Sequence, residues 1–397
     1  MKPYILMGHG MMKMTEELLK DWNGGNVILN PRILTKEQLI DCSKKYKKNN
    51  AVILFDPHCY IPRSDKPILK AQEYWFEGEY STNIYTDINK IMKNVKIIKS
   101  YNDDMNTDAY IFPSTICSRT DDIWFEIQRN WLKACNEIMK DKKRYATLCI
   151  TSKILQNEEE LEKIIGEIEN WDVDGFYIIP EHPKDEYLVE EPLWLINLLT
   201  LCATLKLRDK EIIVSYANHQ LYLLSIANID GLATGNFMNV RAFDSNNLFN
   251  SEDTKRRATW YYCPNSLSEY KRPFLDIAYQ SKQLELLKPN NMAEQKYSNI
   301  LFNGAQPSST NFNDTMSFKH YINCFKYQVE NLKRDNYEET YAMQEMLLNR
   351  AERYADKLRK IGIRGQKRDF YEFIDVNRAA MTVFNSQMGF NMKMGWN

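Results

Sequence analysis

The stretch "EIIVSYANHQLYLLSIANIDGLATGNFMNVR", Glu211 to Arg241, decides how the chain folds. It holds two short apolar runs, "EIIVSY" and "GLAT", each followed at once by polar residues: Asn218, His219 and Gln220 after the first, Asn236, Asn239 and Arg241 after the second. Neither run alternates polar with apolar positions, so neither suits a sheet with one face in water. Strands covered on both faces, as parallel strands wrapped by helices are, have this pattern.

The same motif recurs outward from there. "NVIL" (26–29), "AVILF" (51–55), "AYIF" (109–112), "YATLCI" (145–150), "GFYII" (175–179) and "TWYYC" (259–263) bring the number of expected strands to eight. Between them lie helix patterns such as "TKEQLIDCSKKYKK", "DDIWFEIQRNWLKACNEIMK", "NEEELEKIIGEIENW" and the Pro192 to Arg208 run, the first and third with a capping residue and acid close behind. Eight strand and helix units predict an α/β fold of the (β/α)8 TIM-barrel type over residues 1–288. An insertion is expected at about 57–108, with "VKII" (95–98) as an extra strand within it. Residues 289–397 read as a polar linker and then an α-helical C-terminal region whose amphipathic helices could dock a protein partner.

The 397 residues, 44% apolar and 12% aromatic, are enough for a large core, and 52 basic against 53 acidic residues leave no global field to draw in nucleic acid or a membrane. No apolar run reaches membrane-spanning length, and the first residues carry no cleavable signal, so the expectation is a cytoplasmic protein without membrane contact. Eight cysteines are scattered with no C-x-x-C pair. The histidines lack metal-ligand spacing too, so no metal and no cofactor is expected. Dinucleotide, P-loop and nucleophile-elbow motifs are absent. The basic run "KLRKIGIRGQKRD" (357–369) reads as a solvated helix face.

Ligands of parallel barrels sit at the carboxyl ends of the strands, so residues just past each strand are the candidates. The carboxylates there are Asp56 in "FDPHCYIPR" and Glu181 in "IPEHP", placed for proton transfer or nucleophilic attack. Arg32, Arg63, Arg119 and Arg241 offer planar donors for phosphate or carboxylate. His58, His182, His219, Asn218, Asn236 and Asn239 complete a polar mouth, and His58, His182, His219 and Arg241 are expected to converge. Gly235 reads as a point of close backbone approach to a ligand. Such a mouth suits a nucleobase, a nucleotide or nucleic acid. The rival reading is a non-catalytic scaffold in a protein or nucleic-acid complex.

The "Asp-Gly-Leu-Ala-x-Gly" segment, with Gly231, Leu232, Ala233 and Gly235 in place, resembles the corresponding strand of the tRNA-guanine transglycosylase superfamily. That resemblance implies a barrel, with the glycine turn beside an exchanged base, Asp56 as the counterpart of a base-contacting aspartate, and a transferase activity of base exchange. Asp244 is the nearest candidate for the family's nucleophilic aspartate. The chain departs from the family around Asp56, where "Asp-Pro-His-Cys" stands, and it lacks the zinc-binding cysteine cluster.

Overall fold

A computed structural model describes residues 1–62, 64, 66–75, 86–248 and 258–396. Eight strands, β1 (Lys2–Leu6), β2 (Gly25–Leu29), β3 (Ala51–Phe55), β4 (Ala109–Ile111), β5 (Lys143–Ile150), β6 (Gly175–Pro180), β7 (Glu211–Val214) and β8 (Gly231–Thr234), form one sheet in the order 3-2-1-8-7-6-5-4. All of its pairings are parallel. The ends of the sheet meet where the Asp108 N–H donates to the Ile53 carbonyl at 2.8 Å and the Asp108 carboxylate accepts from the Ile53 N–H at 2.6 Å. This is the expected TIM barrel, nearly closed.

Period-two alternation sorts the strand side chains. Leu6, Ile28, Leu54, Ile111, Tyr177, Ile179, Ile213 and Ala233 fill the barrel interior as one buried cluster. Their neighbours, such as Ile5, Val27, Phe55, Ile178 and Val214, face the surrounding helices. Local signals set the helix starts: Thr35 closes a capping box with Gln38, and the Asn157 side chain accepts from the Glu160 N–H at 3.2 Å.

Two strand expectations need correction. The eighth barrel strand is Lys2–Leu6, at the start of the chain, whereas Trp260–Cys263 (β9) pairs antiparallel with Ser268–Lys271 (β10) in a hairpin outside the barrel. Tyr261 and Tyr270 of that hairpin pack with Leu287, Phe312 and Leu358 in a satellite core. "WYYC" is as apolar as any barrel strand, so its pattern cannot tell which sheet it joins. The "VKII" segment lies inside the helix Ile88–Asp104, where Ile91, Val95, Ile98 and Asn102 recur at helical spacing on the buried face.

The connection after β8 departs most from a simple barrel. Residues 235–248 leave the mouth, residues 258–313 build the hairpin and several short turns, and the chain continues as the helix Asp314–Leu332, which packs on β1 and β8. The barrel wall therefore draws on residues beyond 288. The last two helices, Tyr337–Lys360 and Ile374–Met394, lie against the His219–Ala227 segment and the Pro192–Lys206 helix. No helix among the described residues is long and apolar enough to cross a membrane.

Candidate functional site at the barrel mouth

The carboxyl ends of the strands carry two polar clusters, side by side. The first lies on the barrel axis. Alternation along β3 points Leu54 inward and Phe55 outward, which sends Asp56 back toward the interior. Pro57 and His58, the latter at φ 60°, turn the chain so that Tyr60 folds over Asp56 and hydrogen-bonds to it. The Asp56 carboxylate also accepts from the His58 N–H at 2.9 Å and lies 3.2 Å from the Tyr177 hydroxyl, itself 2.7 Å from Ser215 Oγ. His58 Nε2 is 2.9 Å from the Tyr216 hydroxyl.

Phe243, from the loop after β8, closes this cluster by packing on Tyr60 and Tyr216 with ring centroids 5.7 and 5.0 Å away. Asp56, His58 and Tyr216 are all 0% exposed. Burial pushes the Asp56 carboxyl up to about 6, against hydrogen bonds from Tyr60, His58 and Tyr177 and the nearby Arg32 guanidinium. Burial also holds His58 well below the usual imidazole range.

The second cluster belongs to β8 and the hairpin. The Arg241 guanidinium donates to the Gly235 carbonyl at 2.9 Å and to Glu269 Oε2 at 3.2 Å, and stacks with its central carbon 3.2 Å from the Tyr321 ring centroid. Arg368 donates to the same Glu269 oxygen at 2.8 Å and lies over the Trp260 ring at 4.0 Å. Burial alone would raise the Glu269 pKa, but Arg368 and Arg241 outweigh it and hold the carboxyl at about 2. Glu269 Oε1 has no hydrogen-bond partner among the described residues.

Above this ion triad opens a cleft of about 640 Å³ with Trp260, Phe237 and Phe318 as aromatic walls. Asn236, Asn239, Lys271 and His9 reach it as well. The volume suits a small-molecule site. Guanidiniums that stack and pair, beside amides and aromatic walls, suit a planar ligand with an anionic group.

The expected convergence of His58, His182, His219 and Arg241 holds only for the end of the barrel. His58 belongs to the axial cluster. His182 packs on Trp194 with centroids 5.3 Å apart, and burial lowers its pKa to about 3 against the Pro180 backbone. His219 sits beside Arg241 among Tyr262, Tyr187 and Phe370, likewise lowered to about 3 by burial. The reason is the loop after β8, which plugs the mouth with Val240 and Phe243 and divides it.

Glu181 accepts from the Ser152 N–H at 3.2 Å and the Ser245 N–H at 3.1 Å, tying two loops together. Asp244 accepts from the Asn246 N–H at 2.9 Å, a local turn cap. Asn218 caps the segment after it through the Gln220 N–H at 2.9 Å and donates to the Tyr187 carbonyl at 2.6 Å. Asn236 donates to the His9 carbonyl at 2.8 Å and Asn239 is exposed in the cleft. Arg32 is buried near Asp56, and Arg119 is exposed on the loop after β4. Arg63 lies outside the described residues. Gly235 is not in the left-handed region; a Cβ there would meet Val240 at 2.4 Å and the Leu6 carbonyl at 2.7 Å, so the close approach is made by the protein's own loop.

Glu269, Arg368 and Trp260 carry no strand-exit signal in the sequence because none follows a barrel strand. Arg368 comes from the basic run read as a solvated face, in which Leu358, Ile363 and Asp369 are buried, and its guanidinium reaches Glu269. Among the described residues no group of three histidine, cysteine, aspartate or glutamate side chains is placed to hold a metal.

No protein-family model matches the chain, and no curated protein matches it. Among solved structures, the chain is similar to a GH18 chitinase from Pseudoalteromonas aurantia, with TM-score 0.36 and 10% identity over 60% of this chain and 95% of that one.

Proposed function

We propose that the protein binds a nucleobase- or nucleotide-type ligand in the cleft beside the barrel axis, with the ring against Trp260 or the Phe237 and Phe318 walls and its anionic group toward Lys271 and the arginines. The observation that carries this reading is the Arg241–Glu269–Arg368 triad under an aromatic-walled cleft at the carboxyl end of the strands. Asn236 and Asn239 supply amide groups of the kind that read a base edge.

Transglycosylase-like base exchange is the chemistry that the Gly231–Gly235 resemblance adds to this reading. It needs a carboxylate able to reach the sugar carbon. Glu269 lines the cleft and stays ionised, and one of its oxygens, itself buried, has no hydrogen-bond partner among the described residues. Asp56 is sealed beneath Tyr60 and Phe243. That seal favours the second reading, a binding module without chemistry, in which Asp56 is structural.

Calorimetric titration of the full chain with guanine, guanosine and GMP tests the binding. Saturable one-to-one binding that weakens in Asn239→Ala and Lys271→Ala is expected, and failure of all three to bind overturns the proposal. Incorporation of labelled guanine into nucleic acid, lost in a folded Glu269→Asp variant, separates exchange from binding alone.

A further inference from the structure

A second cavity, of about 740 Å³, lies between the Asp314–Leu332 and Tyr337–Lys360 helices and shares no lining residue with the mouth cleft. Arg334 stands in the turn joining the two helices, and Arg350 and Arg353, three residues apart, are on one face of the second. All three line the cavity.

None of these arginines forms a salt bridge among the described residues. The Arg334 backbone N–H donates to Thr340 Oγ1 at 2.9 Å, while among the described residues its guanidinium reaches the Met343 sulfur, at 3.9 Å. Arg353 donates to the Asn349 carbonyl of its own helix at 3.3 Å. The Arg350 Nε is buried with no hydrogen-bond partner among the described residues. Several other arginines are held by carboxylates, Arg129 by Glu167, Arg144 by Asp172 and Asp174, Arg208 by Glu169, Arg359 by Glu372 and Arg378 by Glu352, whereas Arg272 donates to the Phe312 carbonyl. A buried guanidinium N–H left unmatched costs stability unless something accepts from it.

The acid that lines this cavity is Glu294, 8% exposed. Burial pushes its carboxyl up to about 7, with Arg350 working against it. Near neutral pH it is partly protonated, and a neutral carboxyl can donate to an anion rather than repel it. Asn331 and Asn349 also line the cavity, alongside the Tyr327 ring.

We propose that this cavity is a binding site for a small phosphorylated molecule, of about the size of a sugar phosphate or nucleoside monophosphate, held by Arg334, Arg350 and Arg353. Three planar cations around one concavity match the several oxygens of a phosphate monoester, and the amides match hydroxyls on the body that carries it. A concave site between two helices favours a compact ligand over a nucleic-acid backbone, which would need a continuous basic face.

The test is calorimetry on the full chain with inorganic phosphate, glucose 6-phosphate and a single-stranded oligonucleotide, in the parent protein, Arg350→Gln, the Arg334→Gln/Arg353→Gln pair and Lys271→Gln. Circular dichroism and thermal melts without ligand check that each variant folds. The expected result is one-to-one binding of glucose 6-phosphate, tighter than inorganic phosphate, weakened at least about tenfold by Arg350→Gln and by the pair, and unchanged by Lys271→Gln. The proposal is overturned if neither small phosphate binds, or if the arginine variants bind as the parent does. Loss through Lys271→Gln alone would assign the phosphate to the mouth cleft, and binding of the oligonucleotide only would assign the surface to nucleic acid. Either result also sinks the proposal. If Arg350→Gln fails to fold, the Arg334→Gln/Arg353→Gln pair decides.

Discussion

Asp56 and Glu269 are both buried carboxylates at the same end of the barrel, one held up to about 6 and the other down to about 2. Burial acts on both in the same direction. Around Asp56 the compensation comes from two tyrosine hydroxyls, one backbone N–H and Arg32 at longer range. Around Glu269 it comes from two guanidiniums, at 3.2 and 2.8 Å. Neutral donors soften the cost of a buried charge, while full opposite charges in contact reverse its sign. One cluster is thus a sealed polar plug, and the other is a permanently ionised platform under an open cleft.

That contrast is broken most directly at Glu269. Glu269→Gln leaves two guanidiniums in a buried site without their counter-charge, and removing one partner of such a network costs about 3–5 kcal/mol. Urea unfolding should show a loss of that size at neutral pH. In the parent protein the depressed pKa contributes stability that is complete above about 4.5 and is lost as pH falls toward about 2. The gap between parent and variant should therefore narrow in that acid window. A variant as stable as the parent at pH 7 would mean that the triad does not hold the hairpin to the barrel.

At Asp56 the sign is opposite. Its pKa is raised in the folded state, so the folded protein binds the proton more tightly, and the associated stability is complete below about 3.8 and lost as pH rises through about 6. Asp56→Asn removes that dependence. The stability of the variant relative to the parent should rise by ~3 kcal/mol between pH 4 and pH 7, following a shift of about two units at 1.36 kcal/mol each. A flat difference across that range would show that the carboxylate is solvated, and the plug description would fail.

These two clusters also mark how far the sequence could be read. The barrel was legible because seven of its strands, β2 to β8, carry apolar runs with polar exits. The eighth was misplaced because apolar character does not encode sheet membership: "WYYC" and "KPYIL" look alike until tertiary contacts choose between them. At the mouth, Asp56, Arg241, Asn236 and Asn239 were findable, since period-two alternation and strand exits fix their positions. Glu269 and Arg368 were not. They meet Arg241 across separations of 28 and 127 residues, through a hairpin and a C-terminal turn whose docking follows no local rule. The seal over Asp56 was equally hidden, because Phe243 reaches it from another loop.

A smaller effect is expected at Gly235, which lies between the two clusters. Gly235→Ala would put a methyl group 2.4 Å from Val240 and 2.7 Å from the Leu6 carbonyl, and Val240 belongs to the interior that seals the axis. The valine side chain can turn aside, but the backbone oxygen cannot, so part of the strain stays. Overpacking of this kind costs about 1–3 kcal/mol. If the loop instead yields by lifting Val240 and Phe243, the axial cluster opens to water, and the Asp56 pKa moves down toward the ordinary carboxylate range as its desolvation is relieved. A titration of Asp56 by carboxyl-carbon NMR in Gly235→Ala distinguishes these outcomes. A destabilised variant with Asp56 still near 6 means that the plug is rigid and the mouth cleft alone is accessible to ligand. A fall in the Asp56 pKa would mean that the loop after β8 is what separates the two regions, and that Asp56 is within reach of solvent whenever it moves.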